Sequence, residues 1–212
     1  MQRLFVFDFD GTLVDSHAVI DLAFQHVFTK FGLNVDAYSL ETVRALHPKR
    51  IMHDLVGEDR GDEAFSLLAE FSSQHTHLVQ PYTGVPALLE FIKARKHALA
   101  IWTGRDTDSA ERILRTLNLH DLFSMVVGGC RVPRNKPEPD GLHLISTTLQ
   151  IHPSQFVVIG DHPHDIQGAK AVGARSIGVN WGEHPYATAT QEMQPDHFFD
   201  SVPALQQWIQ TL

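Results

Sequence analysis

Cysteine is nearly absent: one residue, Cys130, in a chain of 212. No intrachain disulfide can form, which fits a reducing compartment. Basic residues are also scarce, 17 Lys and Arg against 25 Asp and Glu, for a formal net charge of −8. That balance excludes a non-specific nucleic-acid binder and a binder of anionic membranes, because like charges repel. It suits a chain that recruits a cation. Long apolar runs are missing as well. The N-terminal run Leu4–Phe7 stops at Asp8, too short and too acidic for a signal peptide, and no stretch approaches a membrane span. A cytoplasmic protein is expected. Internal repeats, low-complexity tracts and long linkers are absent.

What remains is a chain 43% hydrophobic, enough for a core and a second small domain. Segments 4–7, 97–102, 124–129, 155–160, 174–179 and 196–199 read as short strands. The strongest are continuously apolar, as in parallel strands covered on both faces. Helical patterns over 84–95, 106–117, 139–149 and 163–172 separate them, with Asp106 as an N-cap and Gly173 as a stop. This alternation predicts an open parallel α/β sheet. From Ser16 to Gln80 only helical patterns occur. The expected division is a core of residues 1–15 and 81–212 and an all-helical cap domain of 16–80, its interior formed by Phe24, Phe28, Phe31, Phe65 and Phe71.

Polar groups cluster where ligands of open parallel sheets bind, after the strands. Asp8 and Asp10 follow the first strand, Thr103 and Gly104 the second, Lys136 the third, and Asp161 and Asp165 the fourth. Two acids ending a buried strand need partners. Asp8 can attack phosphorus as a carboxylate nucleophile. Asp10 can protonate the leaving oxygen and later deprotonate water. Crowded carboxylates demand a cation: Asp8 and Asp161 offer hard oxygen ligands suited to Mg²⁺, with Asp10 and Asp165 beside them. The Thr103 hydroxyl, the Gly104 amide and Lys136 are donors for phosphoryl oxygens. Asp165 can also cap the helix that starts near Pro163.

The stretches "DFDGTLVDS", "WTGR", "NKPEPDG" and "GDHPHDIQGAKAVG" resemble the four motifs of the haloacid dehalogenase superfamily, in its phosphatase branch. The tail "GVNWGEHPY" onward is similar to the phosphoglycolate phosphatase-like group. The resemblance implies a Rossmann-like parallel sheet with an inserted helical cap, and Mg²⁺-dependent phosphoryl transfer through an aspartyl-phosphate. The partner implied is a small phosphorylated metabolite. Asp10 separates the chain from the dehalogenase and phosphonatase branches, whose chemistry has no ester oxygen to protonate. Two departures stand out: Gly104 occupies a place where Asn is usual, and His162 and His164 flank Pro163.

Cap residues Arg44, Lys49, Arg50 and His53 form a basic run. Its plain reading is an exposed helix face. Its sharper reading is contact with the leaving group by Arg44, Lys49 or Arg50. The remaining histidines read as mostly solvated, with His164 nearest the phosphate, and Cys130 reads as a small packed residue. A phosphomutase, an inorganic pyrophosphatase and a non-enzymatic phosphate sensor are the competing functions. The sequence sets no oligomeric state.

Overall fold

The computed structural model describes residues 2–34, 48–182 and 187–212. The chain forms two compact units, Met1–Asp15 with Gln80–Leu212, and Ser16–Val79. No helix among the described residues is long and apolar enough to cross a membrane.

The first unit is built on six parallel strands: β1 (Leu4–Phe7), β4 (Ala98–Trp102), β5 (Met125–Val127), β6 (Phe156–Gly160), β7 (Arg175–Val179) and β8 (His197–Phe199). Their order is β5-β4-β1-β6-β7-β8. Strand β1 pairs with β4 on one side and β6 on the other, Phe7 lying opposite both Ile101 and Ile159. All four β1 side chains are buried, which explains the unbroken apolar run: alternate residues serve opposite faces, and helices cover both. One face packs Leu4, Val6, Ala100 and Val158 on Leu142, Ile145 and Ala169. These last three come from α6 (Asp140–Leu149) and α7 (Pro163–Ala171). The remaining helices are α4 (Val85–Ala94), α5 (Thr107–Thr116), α8 (Ala187–Glu192) and α9 (Val202–Ile209). The strand order reverses at β1, so the crevice for a ligand opens where Asp8 emerges. A two-residue antiparallel ladder joins β2 (Val14–Asp15) to β3 (Gln80–Pro81).

The α/β architecture expected from the sequence is therefore present, with one strand shorter than its apolar pattern. Strand β5 ends at Val127 instead of running to Gly129. A Cβ on Gly128 would lie 2.4 Å from the Arg105 carbonyl, and the Gly129 amide donates to that carbonyl at 2.9 Å. The chain leaves the ladder to pack on the loop after β4. Cys130 consequently sits on an exposed turn, a correction to its reading as a packed residue; its Sγ meets the Thr107 hydroxyl and amide at 3.5 and 3.4 Å.

The second unit contains α1 (His17–Phe31), α2 (Pro48–Val56) and α3 (Glu58–Gln74). Phe24, Val27 and Phe28 pack with Ile51, Met52, Ala64 and Leu68. Phe31, Phe65 and Phe71 form the half-buried margin of this cluster. Gly61 brings α3 against α2, since a Cβ there would lie 2.3 Å from the His53 ring. His53 is held between Glu58 at 2.9 Å and Asp62 at 3.0 Å. Hydrogen bonds to Asp62 and then Glu58 raise its pKa above the ordinary 6.5. A raised pKa contributes stability that is complete below pH 6.5 and is lost as pH climbs through the higher native value. Wild type should therefore lose melting temperature relative to His53→Gln as pH rises from 6 to 8. Parallel curves would remove the ion-pair role.

Candidate active site

The end of β1 is fixed by its neighbour: the Asp8 amide continues the ladder, donating to the Ile159 carbonyl at 2.8 Å. The chain then turns sharply. Leu13 and Val14 amides both donate to the Phe9 carbonyl, at 2.9 and 3.1 Å, and Gly11 adopts φ +84°. Only glycine suits this point, because a Cβ would stand 2.5 Å from Asp161 Oδ2 in addition to the backbone strain. Thr12 Oγ1 donates to Asp161 Oδ1 at 2.8 Å, and its carbonyl accepts from Trp181 Nε1 at 3.0 Å. The turn after β1 and the end of β6 are thereby joined.

Lys136 reaches this junction from the loop before α6. Its Nζ lies 2.6 Å from Asp8 Oδ1 and 2.5 Å from Asp165 Oδ1, and 4.6 Å above the Trp102 ring. Trp102 is seated between helices: a Cβ on Gly141 of α6 or on Gly168 of α7 would strike it at 2.4 or 2.2 Å. Asp165, 1% exposed, also accepts the His162 amide at 3.1 Å through Oδ2. His162 caps the same helix, accepting the His164 amide at 3.1 Å through Nδ1. The two imidazoles pack edge to face with centroids 4.3 Å apart. Burial lowers both, His162 to about 4, and so disfavours the imidazolium form. They are half-buried rather than solvated.

Asp8, Asp161 and Asp165 each present a carboxylate oxygen within 4.8 Å of the others. Burial, then the neighbouring charges, decides the protonation of Asp8 and Asp161. Asp8 is pushed up to about 7 by desolvation, with Lys136 pulling the other way and Asp165 and Asp10 adding to the rise. Asp161 is pushed well above the carboxylate range by burial, Asp8 and Asp165. For Lys136, burial favours the neutral amine, but Asp165 and Asp8 override it and raise its pKa. A group of buried acids with too little positive charge is the donor set that fits a hard divalent cation. Asp165 already spends its two oxygens on Lys136 and on the helix start, so Asp8 and Asp161 are the better-placed ligands.

The Asp10 carboxylate lies outside this group. It faces Arg105, whose Nε is 3.2 and 2.9 Å from its two oxygens and whose Nη2 is 2.6 Å from Oδ1. Sequence reasoning missed Arg105. The available signal was a cation directly after Thr103 and Gly104 in the "WTGR" segment, placed at the same sheet edge as the acids. Thr103 is buried. Its Oγ1 accepts the Arg105 amide at 3.1 Å, so the hydroxyl proton remains to be donated elsewhere. A Cβ on Gly104 would meet nothing within 4 Å, so the missing side chain leaves open space.

Of the basic run, Arg44 lies outside the described residues. Lys49 pairs with Asp62 at 2.9 Å and Arg50 with Asp54 at 3.8 Å, all within the helical unit.

Residues 5–179 match the model of the haloacid dehalogenase-like hydrolases. The chain belongs to that family. A phosphoglycolate phosphatase of Neisseria meningitidis is 30% identical, the match covering 96% of this chain and 92% of that one. A phosphoglycolate phosphatase of Escherichia coli is likewise 30% identical, covering 92% and 88%. A haloacid dehalogenase-like hydrolase of Streptococcus pneumoniae superposes with TM-score 0.84 at 25% identity over 98% of both chains. The chain is thus a hydrolase whose relatives are phosphatases, as its four motifs suggest.

Proposed function

We propose that this hydrolase is a Mg²⁺-dependent phosphatase of small phosphate monoesters, with 2-phosphoglycolate as the first substrate to test. The observation that carries the reading is Lys136, bridging the carboxylates of Asp8 and Asp165 beside Asp161 at the sheet's switch point. The phosphoglycolate phosphatases among its relatives support the choice of ester.

Asp8 attacks phosphorus as the ester P–O bond breaks, and a proton on Asp10 moves to the leaving oxygen. Water then attacks the aspartyl-phosphate, Asp10 takes a proton from it, and phosphate departs with both acids restored. Thr103, the Gly104 amide and Lys136 hold the phosphoryl oxygens. Asp8 and Asp161, backed by Asp165, would hold Mg²⁺, which when bound offsets the negative charge of nucleophile and substrate. Substrate choice is assigned to the helical segment 16–80, with Arg50 and Lys49 its candidate contacts for the leaving group.

The test is phosphate release from phosphoglycolate, glucose 1-phosphate, nucleotides and pyrophosphate, with Mg²⁺ and with chelator. Phosphoglycolate should turn over fastest, and only with metal. Asp161→Ala should shift the Mg²⁺ titration upward by about tenfold or more, since one ligand of few is lost. No release from any ester at any Mg²⁺ concentration would overturn the reading. Isomerisation of a sugar phosphate without phosphate release would replace it with a mutase.

A further inference from the structure

Asp10 lies in the tight turn after β1, bridged to Val14 and followed by the left-handed Gly11. General acid catalysis requires the proton to point at one leaving oxygen, and a small misplacement is costly. A fixed carboxylate plane serves that requirement.

Arg105 has the geometry for this. It joins the carboxylate by three contacts of 3.2, 2.9 and 2.6 Å, a two-pronged grip that sets both distance and plane. The guanidinium is itself anchored. Nη1 donates to Ser109 Oγ at 3.1 Å, and the group lies 5.7 Å over the Phe9 ring. Its backbone is held at both ends, the amide on Thr103 Oγ1 at 3.1 Å and the carbonyl under the Gly129 amide at 2.9 Å. Its side chain is 13% exposed. A guanidinium has no proton to exchange at working pH, so it cannot replace Asp10 as acid. It can only aim it.

We propose that Arg105 is a positioning residue for Asp10, and that through Asp10 it governs the departure of leaving groups that need a proton. The inference rests on Asp10 acting as the acid of a phosphatase. Its consequence is a dependence on the leaving group. An alkoxide such as that of phosphoglycolate or glycerol 3-phosphate departs only with a proton, whereas p-nitrophenolate departs without one. Arg105→Met should therefore lower kcat/KM for both alkyl esters by about 10²-fold, the low end of general acid catalysis, and for p-nitrophenyl phosphate by no more than about threefold. Arg105→Lys should fall between, because an ammonium cannot grip two oxygens in one plane. Asp10→Asn should show the same alkyl-to-aryl contrast, and adding Arg105→Met to it should not deepen that contrast, as residues acting as one unit are non-additive.

The readout is the ratio of kcat/KM for an alkyl and an aryl ester on one preparation, which does not depend on the fraction of chain folded. Equal losses on both esters in Arg105→Met and Arg105→Lys would overturn the inference. So would a loss confined to phosphoglycolate and absent for glycerol 3-phosphate, which would make Arg105 a reader of the substrate carboxylate. A contrast that deepens in the double variant would also overturn it. If Asp10→Asn itself shows no contrast, the acid role of Asp10 fails and the inference falls with it. If Asp10→Asn shows the contrast and Arg105→Met does not, only the inference fails.

Discussion

Asp8→Asn is expected to lower turnover by roughly 10⁴-fold or more, the scale of losing a nucleophile, while the chain keeps its fold. Asn preserves the shape and the ladder bond of residue 8 to Ile159 but has no carboxylate to attack phosphorus. Stability should move the other way. In the metal-free protein burial pushes Asp8 up to about 7 from an ordinary 3.8, against the pull of Lys136. The unfolded chain then gives up this proton before the native state does. Native stability falls as pH rises from about 4 to about 7, and the full penalty stands above that. Asn carries no such penalty. At pH 8 without metal its melting temperature should equal or exceed that of wild type, and Mg²⁺ should raise the wild-type value more than the variant's. Residual turnover above one per cent would sink the nucleophile assignment. A collapsed circular dichroism spectrum would make residue 8 a structural necessity instead.

Much of the sheet and of its acidic edge was legible in the sequence, for physical reasons. Strand β1 is buried on both faces, so its apolar run is continuous and its boundary at Asp8 abrupt. Asp106 was readable as an N-cap because its chemistry is local, and it accepts the Ser109 amide at 2.8 Å. Gly173, at φ +69°, stops the chain after α7 for the same local reason. Contacts between segments were harder. The pairing of Arg105 with Asp10 spans 95 positions and leaves no periodic trace. The close of β5 at Val127 depends on how near the Arg105 carbonyl comes to Gly128, which no propensity encodes. His162 was obscured by residue type: imidazole is a rare N-cap, yet its Nδ1 accepts the His164 amide as an Asp would. The seat of Trp102 depends on Gly141 and Gly168, small residues that a helical pattern treats as neutral or unfavourable.

Lys136→Met should be damaging in two separable ways. Lys136 is the cation that meets both Asp8 and Asp165, and its side chain is only 10% exposed. Removing one member of a buried ionic group leaves the others uncompensated, at about 3–5 kcal/mol. The metal-free melting temperature should fall, and Mg²⁺ should restore part of it, because a cation supplies some of the missing charge. Activity should drop by about 10³-fold, the scale of losing one fixed donor to the transition state. Lys136 also draws Asp8 downward against its burial, so without it Asp8 holds its proton to higher pH. The acid limb of the pH–activity curve should therefore move to higher pH. Lys136→Arg should not rescue. Nζ is compressed between two carboxylates and the Trp102 ring, and that ring is pinned against Gly141 and Gly168, leaving no room for a planar fork. A Met variant within tenfold of wild-type activity would remove Lys136 from the phosphate site. An unchanged metal-free melting temperature would show that water, not lysine, compensates the buried acids.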